Sequence, residues 1–101
     1  MVTELAVLNV IPGREAEFEA AFAQAKGLIA GAEGFRSLDL QRCLENRSRY
    51  FFRVEWERLE DHTDGFRNSP AYGEWKQLLH HFYDPFPTVE HFELVARVER
   101  S

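Results

Sequence analysis

Residues 35–57, FRSLDLQRCLENRSRYFFRVEWE, decide the fold. From Phe35 to Leu44 apolar and polar positions alternate, with Leu38, Leu40 and Leu44 on one side and Ser37, Asp39 and Gln41 on the other. That is the period of a strand that buries one face. From Arg49 to Glu57 the alternation resumes, gathering Tyr50, Phe52, Val54 and Trp56 opposite Arg49, Arg53, Glu55 and Glu57. The polar link Glu45-Asn46-Arg47-Ser48 makes the two strands a hairpin with one strongly apolar face, and that face needs a cover.

The flanking segments supply it. On the N-terminal side, Thr3 to Ile11 (TELAVLNVI) is aliphatic and β-branched and stops at Pro12-Gly13, which predicts a strand and a turn. From Arg14 the period changes: Phe18, Ala21, Phe22, Ala25, Leu28 and Ile29 recur at spacings of three and four, so a helix runs to about Ala30 and ends at Gly31 or Gly34. On the C-terminal side, Leu59 to Phe66 reads as a short helix. Ser69-Pro70 then opens a second long helix that carries Ala71, Tyr72, Trp75, Leu78, Leu79 and Phe82 on one stripe and stops at Asp84-Pro85. Tyr83 to Thr88 is a proline-bearing connection, and Val89 to Val98 predicts the last strand, with Phe92, Leu94, Ala96 and Val98 on one face.

The order is βαββααβ in a single domain, residues 1–101. It predicts an α+β, ferredoxin-like fold with a four-stranded antiparallel sheet. The face formed by Ala6, Leu8, Val10, Leu38, Leu40, Phe52, Val54, Trp56, Phe92 and Leu94 is expected under the helices. The other face mixes Leu5, Val7, Phe51, Val89 and Val95 with Asp39, Arg53, Glu55, His91 and Glu93. Two readings fit that mixture, a solvated outer surface and a sheet-to-sheet dimer interface with paired charges.

Composition removes several function classes. With 101 residues and a net charge of -5, the chain has no cation excess to neutralise phosphates, and its twelve Lys and Arg are scattered; nucleic acid and anionic membranes are not expected partners. Cys43 is the sole cysteine, which excludes an internal disulfide and suits a reducing cytoplasm. No secretion signal or apolar stretch of membrane-spanning length is legible.

The Pro12-Gly13 turn, Phe18 and Phe22 in the first helix, Gly34-Phe35 opening the second strand, Trp56-Glu57 closing the third, and Phe66, Ser69, Tyr72 and Trp75 beyond it together resemble the antibiotic biosynthesis monooxygenase (ABM) domain. The resemblance runs through nearly the whole chain. It implies a homodimeric α+β barrel in which two sheets meet, with one pocket per subunit between sheet and helices. It also implies an activity among cofactor-independent oxygenases of phenols, haem-degrading enzymes and small proteins of no established role. The haem-degrading branch expects an Asn where this chain has Ala6 and a Trp where it has Gly65-Phe66, and Asn9 points to the opposite face from Ala6, so that branch is not expected.

Helical spacing puts Leu59, His62, Thr63 and Phe66 on one side of the short helix. An inward imidazole can take a proton from a phenol or hydrogen-bond the phenolate, so His62 is the candidate base; the plainer possibility is a histidine satisfied by backbone carbonyls or Thr63. Tyr72 and Trp75 offer hydrogen-bonding edges to orient a flat substrate, or else belong to the core. Phe52, Trp56, Phe66, Leu79 and Phe92 are expected to line the pocket, with His81 at its rim and His80 facing outward. Metal binding by His80 and Asp84 is not expected, because proline stops the turn and no second ligand pair stands at metal spacing. Cys43 has no basic neighbour on its own face, so a nucleophilic thiol is not expected, and no phosphate cradle or nucleotide motif occurs. The expected activity is therefore a cofactor-independent monooxygenase on a small aromatic or phenolic molecule, with no cofactor. The alternatives are a dimeric small-molecule-binding module without turnover and an isomerase using the same histidine.

Overall fold

A computed structural model describes residues 1–100. The elements follow the expected order: β1 (Val2–Asn9), α1 (Glu15–Ala30), β2 (Phe35–Arg42), β3 (Arg49–Trp56), a short helix (Asp61–Phe66), α2 (Pro70–Leu79), a single tight turn (His80–Phe82) and β4 (Val89–Phe92). The four strands form one antiparallel sheet in the order β2-β3-β1-β4, the ferredoxin-like arrangement.

The inner face is set by parity. Ala6 and Leu8 of β1 share a face with Tyr50, Phe52, Val54 and Trp56 of β3, and all are buried, as is Val10 just past β1, which bridges to Tyr83. Phe18, Phe22, Ala25 and Ile29 of α1, with Trp75 and Leu79 of α2, close over them. A bulge between Phe35 and Ser37 shifts the phase of β2 by one residue, so that Phe35 pairs with Trp56 and Leu38 with Val54 on one face. The packing is strongly aromatic: Phe18 meets Tyr50 and Phe82 at centroid distances of 5.0 and 5.7 Å, tilted or edge-on as ring quadrupoles favour.

Three expectations are corrected. Leu44 lies beyond the end of β2 and is exposed, so it does not share the face of Leu38 and Leu40. The last strand is shorter than Val89 to Val98, since pairing stops at Phe92 and residues 93–100 have no ladder partner and are exposed. Its phase is also inverted. Thr3 pairs with Phe92 and Glu4 with His91, so Val89 and His91 point under the helices while Phe92 points to the outer face and is 47% exposed. Phe92 and Leu94 therefore take no part in the inner face. Apolarity alone chose the wrong phase, because the residue that the fold turns inward is a histidine with a partner waiting for it.

The short helix is wound wider than an α-helix, with the Arg67 amide donating to the His62 carbonyl five residues back. That extra residue turns His62 and Phe66 inward but leaves Leu59 exposed, against the expected stripe. Gly34 anchors the segment. Its φ is +82°, and a Cβ there would sit 2.0 Å from Asp61 Oδ2. Asp61 is itself buried, and its carboxylate accepts from the Arg58 amide at 3.1 Å. The start of the short helix is thus pinned to the start of β2, which fixes where His62 emerges.

Candidate active site

Between sheet and helices lies a cavity of about 210 Å³. Its walls are apolar: Ala6 and Leu8 from β1, Phe52 from β3, Phe22 and Ile29 from α1, and Phe66 and Trp75 from the other helices. Trp75 organises them, standing edge-on to Phe22 and Phe66 at 6.1 and 5.9 Å and tilted against Phe52 at 5.8 Å. Tyr72 stands edge-on to Phe66 at 5.5 Å. At the other side of the cavity His80, Tyr83 and Phe86 pack together, with His80 to Phe86 at 4.9 Å. Burial raises the Tyr83 hydroxyl pKa, and burial, with a smaller contribution from Lys76, lowers that of His80.

One end of the cavity is polar. Glu4, on the inward parity of β1, is only 5% exposed. Its Oε1 accepts from Trp56 Nε1–H at 2.9 Å and faces His62 Nε2 at 3.4 Å. The other ring nitrogen, His62 Nδ1, lies 2.7 Å from His91 Nε2. The His62 ring stacks on Trp56 with centroids 5.5 Å apart and planes 18° from parallel. The spacing of Glu4 and His62 is that of an ion pair, yet burial pushes the His62 pKa down to about 3, with Arg67 and His91 adding to the fall, so the ring is neutral. The Glu4 pKa is raised, burial outweighing the opposing Trp56 hydrogen bond and the charge of Arg67. His91 is lowered by burial and by Arg67. Arg67 also lines the cavity. Because His62 turns opposite nitrogens to Glu4 and His91, these three side chains do not converge on one point as metal ligands must.

The structure brings together five of the expected site residues: His62, Tyr72, Trp75, Phe52 and Phe66 all line the cavity. Four others lie elsewhere. Trp56 is fully buried behind His62 and supports it without reaching the wall, and Leu79 is buried in the core. His81 is exposed and packs on Phe82 at 4.3 Å while His80 takes the rim. The reason is that the last helical turn tightens at His80–Phe82, which rotates both histidines from their α-helical directions. Phe92 is on the outer face. Sequence reasoning missed Glu4 and His91. The alternation that placed Ala6, Leu8 and Val10 inward extends to Glu4, so that signal was present; the signal for His91 was masked by its apolar neighbour.

The family model for antibiotic biosynthesis monooxygenase matches residues 1–78. The protein YczJ of Bacillus subtilis (strain 168) is 55% identical over 93 residues, 92% of this chain and 98% of YczJ. Among solved structures, a Bordetella bronchiseptica protein named for the same family superposes with a TM-score of 0.89 at 38% identity, covering 94% of this chain and 97% of that one. SnoaB, a cofactor-independent oxygenase from Streptomyces nogalater, gives a TM-score of 0.73 at 24% identity, covering 97% and 94%, a likeness of fold. No helix among the described residues is long and apolar enough to cross a membrane.

Proposed function

Since the chain belongs to the antibiotic biosynthesis monooxygenase family, we propose that it is a cofactor-independent monooxygenase acting on a small aromatic or phenolic substrate, working as a cytoplasmic homodimer. The observation that carries the proposal is the aromatic-walled cavity with a buried array of Glu4, His62 and His91 at one end. A cavity of about 150 Å³ holds a benzene ring, so the 210 Å³ here suits a molecule of about two fused rings. The array around His62 takes a proton from the substrate, leaving a carbanion that reduces dioxygen. Overall a ring CH₂ and O₂ become a ring carbonyl and water, with dioxygen as the oxidant. Tyr72 and Trp75 give the developing oxyanion and the ring plane their orientation, and the aromatic walls limit the water that reaches the carbanion.

The homodimer is proposed through the outer face, where Val7, Phe51 and Phe92 expose apolar surface around the Arg53 ion pairs with Asp39 and Glu55. Sedimentation equilibrium tests it: a dimer is expected for the wild type and a monomer for Phe51→Glu, and a wild-type monomer removes this part of the proposal.

A second reading, a binding module without turnover, is favoured by one observation: the His62 ring is already held by the protein, Nδ1 by His91 at 2.7 Å and Nε2 facing Glu4 at 3.4 Å. Oxygen uptake separates the two. A panel running from naphthalenediols to anthrones, incubated in air, is expected to consume oxygen and yield quinone. Uptake no faster than with His62→Ala or with buffer ends the oxygenase reading. Binding lost on Trp75→Ala but kept in His62→Ala, without uptake, establishes the binding module.

A further inference from the structure

We infer that the group which touches the substrate and takes its proton is Glu4, through Oε2, and that His62 and His91 stand behind it as positioning residues. The inference rests on the cavity being an aromatic-substrate site. His62 lines that cavity, but its Nδ1 is engaged by His91 at 2.7 Å, its Nε2 faces Glu4 Oε1 at 3.4 Å without closing a hydrogen bond, and Trp56 covers one face of the ring. Glu4 is differently placed. Both of its contacts fall on Oε1, and no buried side-chain oxygen among the described residues is left without a hydrogen-bond partner. Oε2 therefore opens onto the cavity that Glu4 lines.

One assignment of protons satisfies the whole array. With Glu4 ionised, Oε1 accepts from Trp56 Nε1–H at 2.9 Å, and a proton on His62 Nε2 faces the same charge from 3.4 Å, which leaves His62 Nδ1 as the acceptor of His91 Nε2–H. When Oε2 gains a proton, none of these three contacts changes direction, so the carboxyl can be protonated and deprotonated without rearranging its supports. Burial works toward the same outcome. It makes the carboxylate more basic and holds the imidazole pKa near 3, so the proton resides on Glu4 in preference to His62. In the step itself the acidic C–H or O–H bond of the substrate breaks, the proton bonds to Oε2, and the electron pair stays on the ring as an enolate or phenolate. The negative charge passes from Glu4 to the substrate, and Arg67 on the cavity wall compensates it in either place.

Hydrogen–deuterium exchange into β-tetralone, a two-ring ketone with an acidic CH₂, isolates this step when followed by NMR in D₂O without oxygen. Wild type is expected to accelerate exchange, and Glu4→Gln, which can still accept from Trp56, to lose about 10²–10⁴-fold of it while melting as wild type does. His62→Leu is expected to retain exchange but to move its pH inflection upward, because the carboxylate loses the polar ring edge that faces it; a purely structural role for His62 would leave the inflection in place. Should Glu4→Gln prove unfolded, Glu4→Asp withdraws the carboxyl by one methylene and is expected to slow exchange; an unchanged rate there overturns the inference. So does absence of exchange by wild type, and so does wild-type exchange in Glu4→Gln with none in His62→Leu. Exchange that depends on Glu4, with no oxygen uptake in air, leaves the inference standing and removes the oxygenase. Oxygen uptake that is indifferent to Glu4→Gln does the reverse.

Discussion

Two glutamates on facing strands, Glu4 inside and Glu55 outside, sit in the same sheet and meet opposite treatment. Glu55 accepts from the Thr3 hydroxyl at 2.8 Å and from the Arg53 guanidinium at 2.6 Å, on a face where Arg53 also binds Asp39 at 3.0 Å. That cluster is partly exposed, and the ion pairs hold the Arg53 pKa above its ordinary value, the Asp39 hydrogen bond contributing most against a smaller burial cost. Thr3 is the chain neighbour of Glu4, yet one step along the strand reverses the physics. Around Glu4 burial is the largest contribution, the carboxyl is raised, and His62 is driven toward neutrality. Outside, charges are paired in solvent; inside, polar groups are joined by hydrogen bonds without being ionised together. Only the second arrangement leaves a proton acceptor whose basicity suits a weak carbon or oxygen acid.

The difference can be broken or sharpened by substitution. Glu4→Ala leaves Trp56 Nε1–H and His62 Nε2 without their buried partner and is expected to destabilise by about 2–4 kcal/mol in denaturant unfolding. Glu55→Ala is expected to cost under about 1 kcal/mol. Equal costs would dissolve the distinction. Gly34→Ala drives a methyl into Asp61, shifts the start of the short helix and carries strain at positive φ, for an expected loss of about 1–3 kcal/mol; a neutral result would detach the His62 position from that contact.

Acidification provides a graded test of the inner face. A His62 pKa lowered to about 3 means that between pH 6.5 and 3 the unfolded chain binds a proton which the native chain does not. Its contribution to stability is therefore present above pH 6.5 and is lost as pH falls through that window, by up to about 1.4 kcal/mol per pH unit. His91, whose pKa is also lowered, adds in the same direction. Glu4, with its raised pKa, opposes it above pH 4.5, where the native state holds the extra proton. Unfolding free energies between pH 7 and 4 are expected to fall less steeply for His62→Leu than for wild type, and parallel lines would contradict the buried neutral imidazole. The smallest effect is expected from Arg53→Ala measured on the monomer, under about 1 kcal/mol and shrinking with added salt.

Much of this contrast could be read before any coordinates. Strand alternation in residues 35–57 and the period change after Pro12-Gly13 gave the sheet and its cover, because burial of one face leaves a regular mark in sequence. Tyr72, Trp75, Phe52, Phe66 and His62 were legible as pocket residues on the same ground. The array was not, since it depends on two polar residues at inward positions, Glu4 and His91. A hydrophobicity pattern assigns such residues outward, and only the register of β4 against β1, Glu4 to His91, brings them together. The exchange of His80 for His81 at the rim likewise follows from a tightened helical turn whose local signal, two adjacent histidines, favours neither.

Everything turns on burial holding the His62 imidazole neutral and oriented between Glu4 and His91. Histidine ¹⁵N NMR of the wild-type protein between pH 4 and 8 tests it most directly. His62 is expected to stay a neutral Nε2–H imidazole across that range, whereas an imidazolium signal for His62 appearing near pH 6.5, or a neutral ring carrying its proton on Nδ1, would contradict the account.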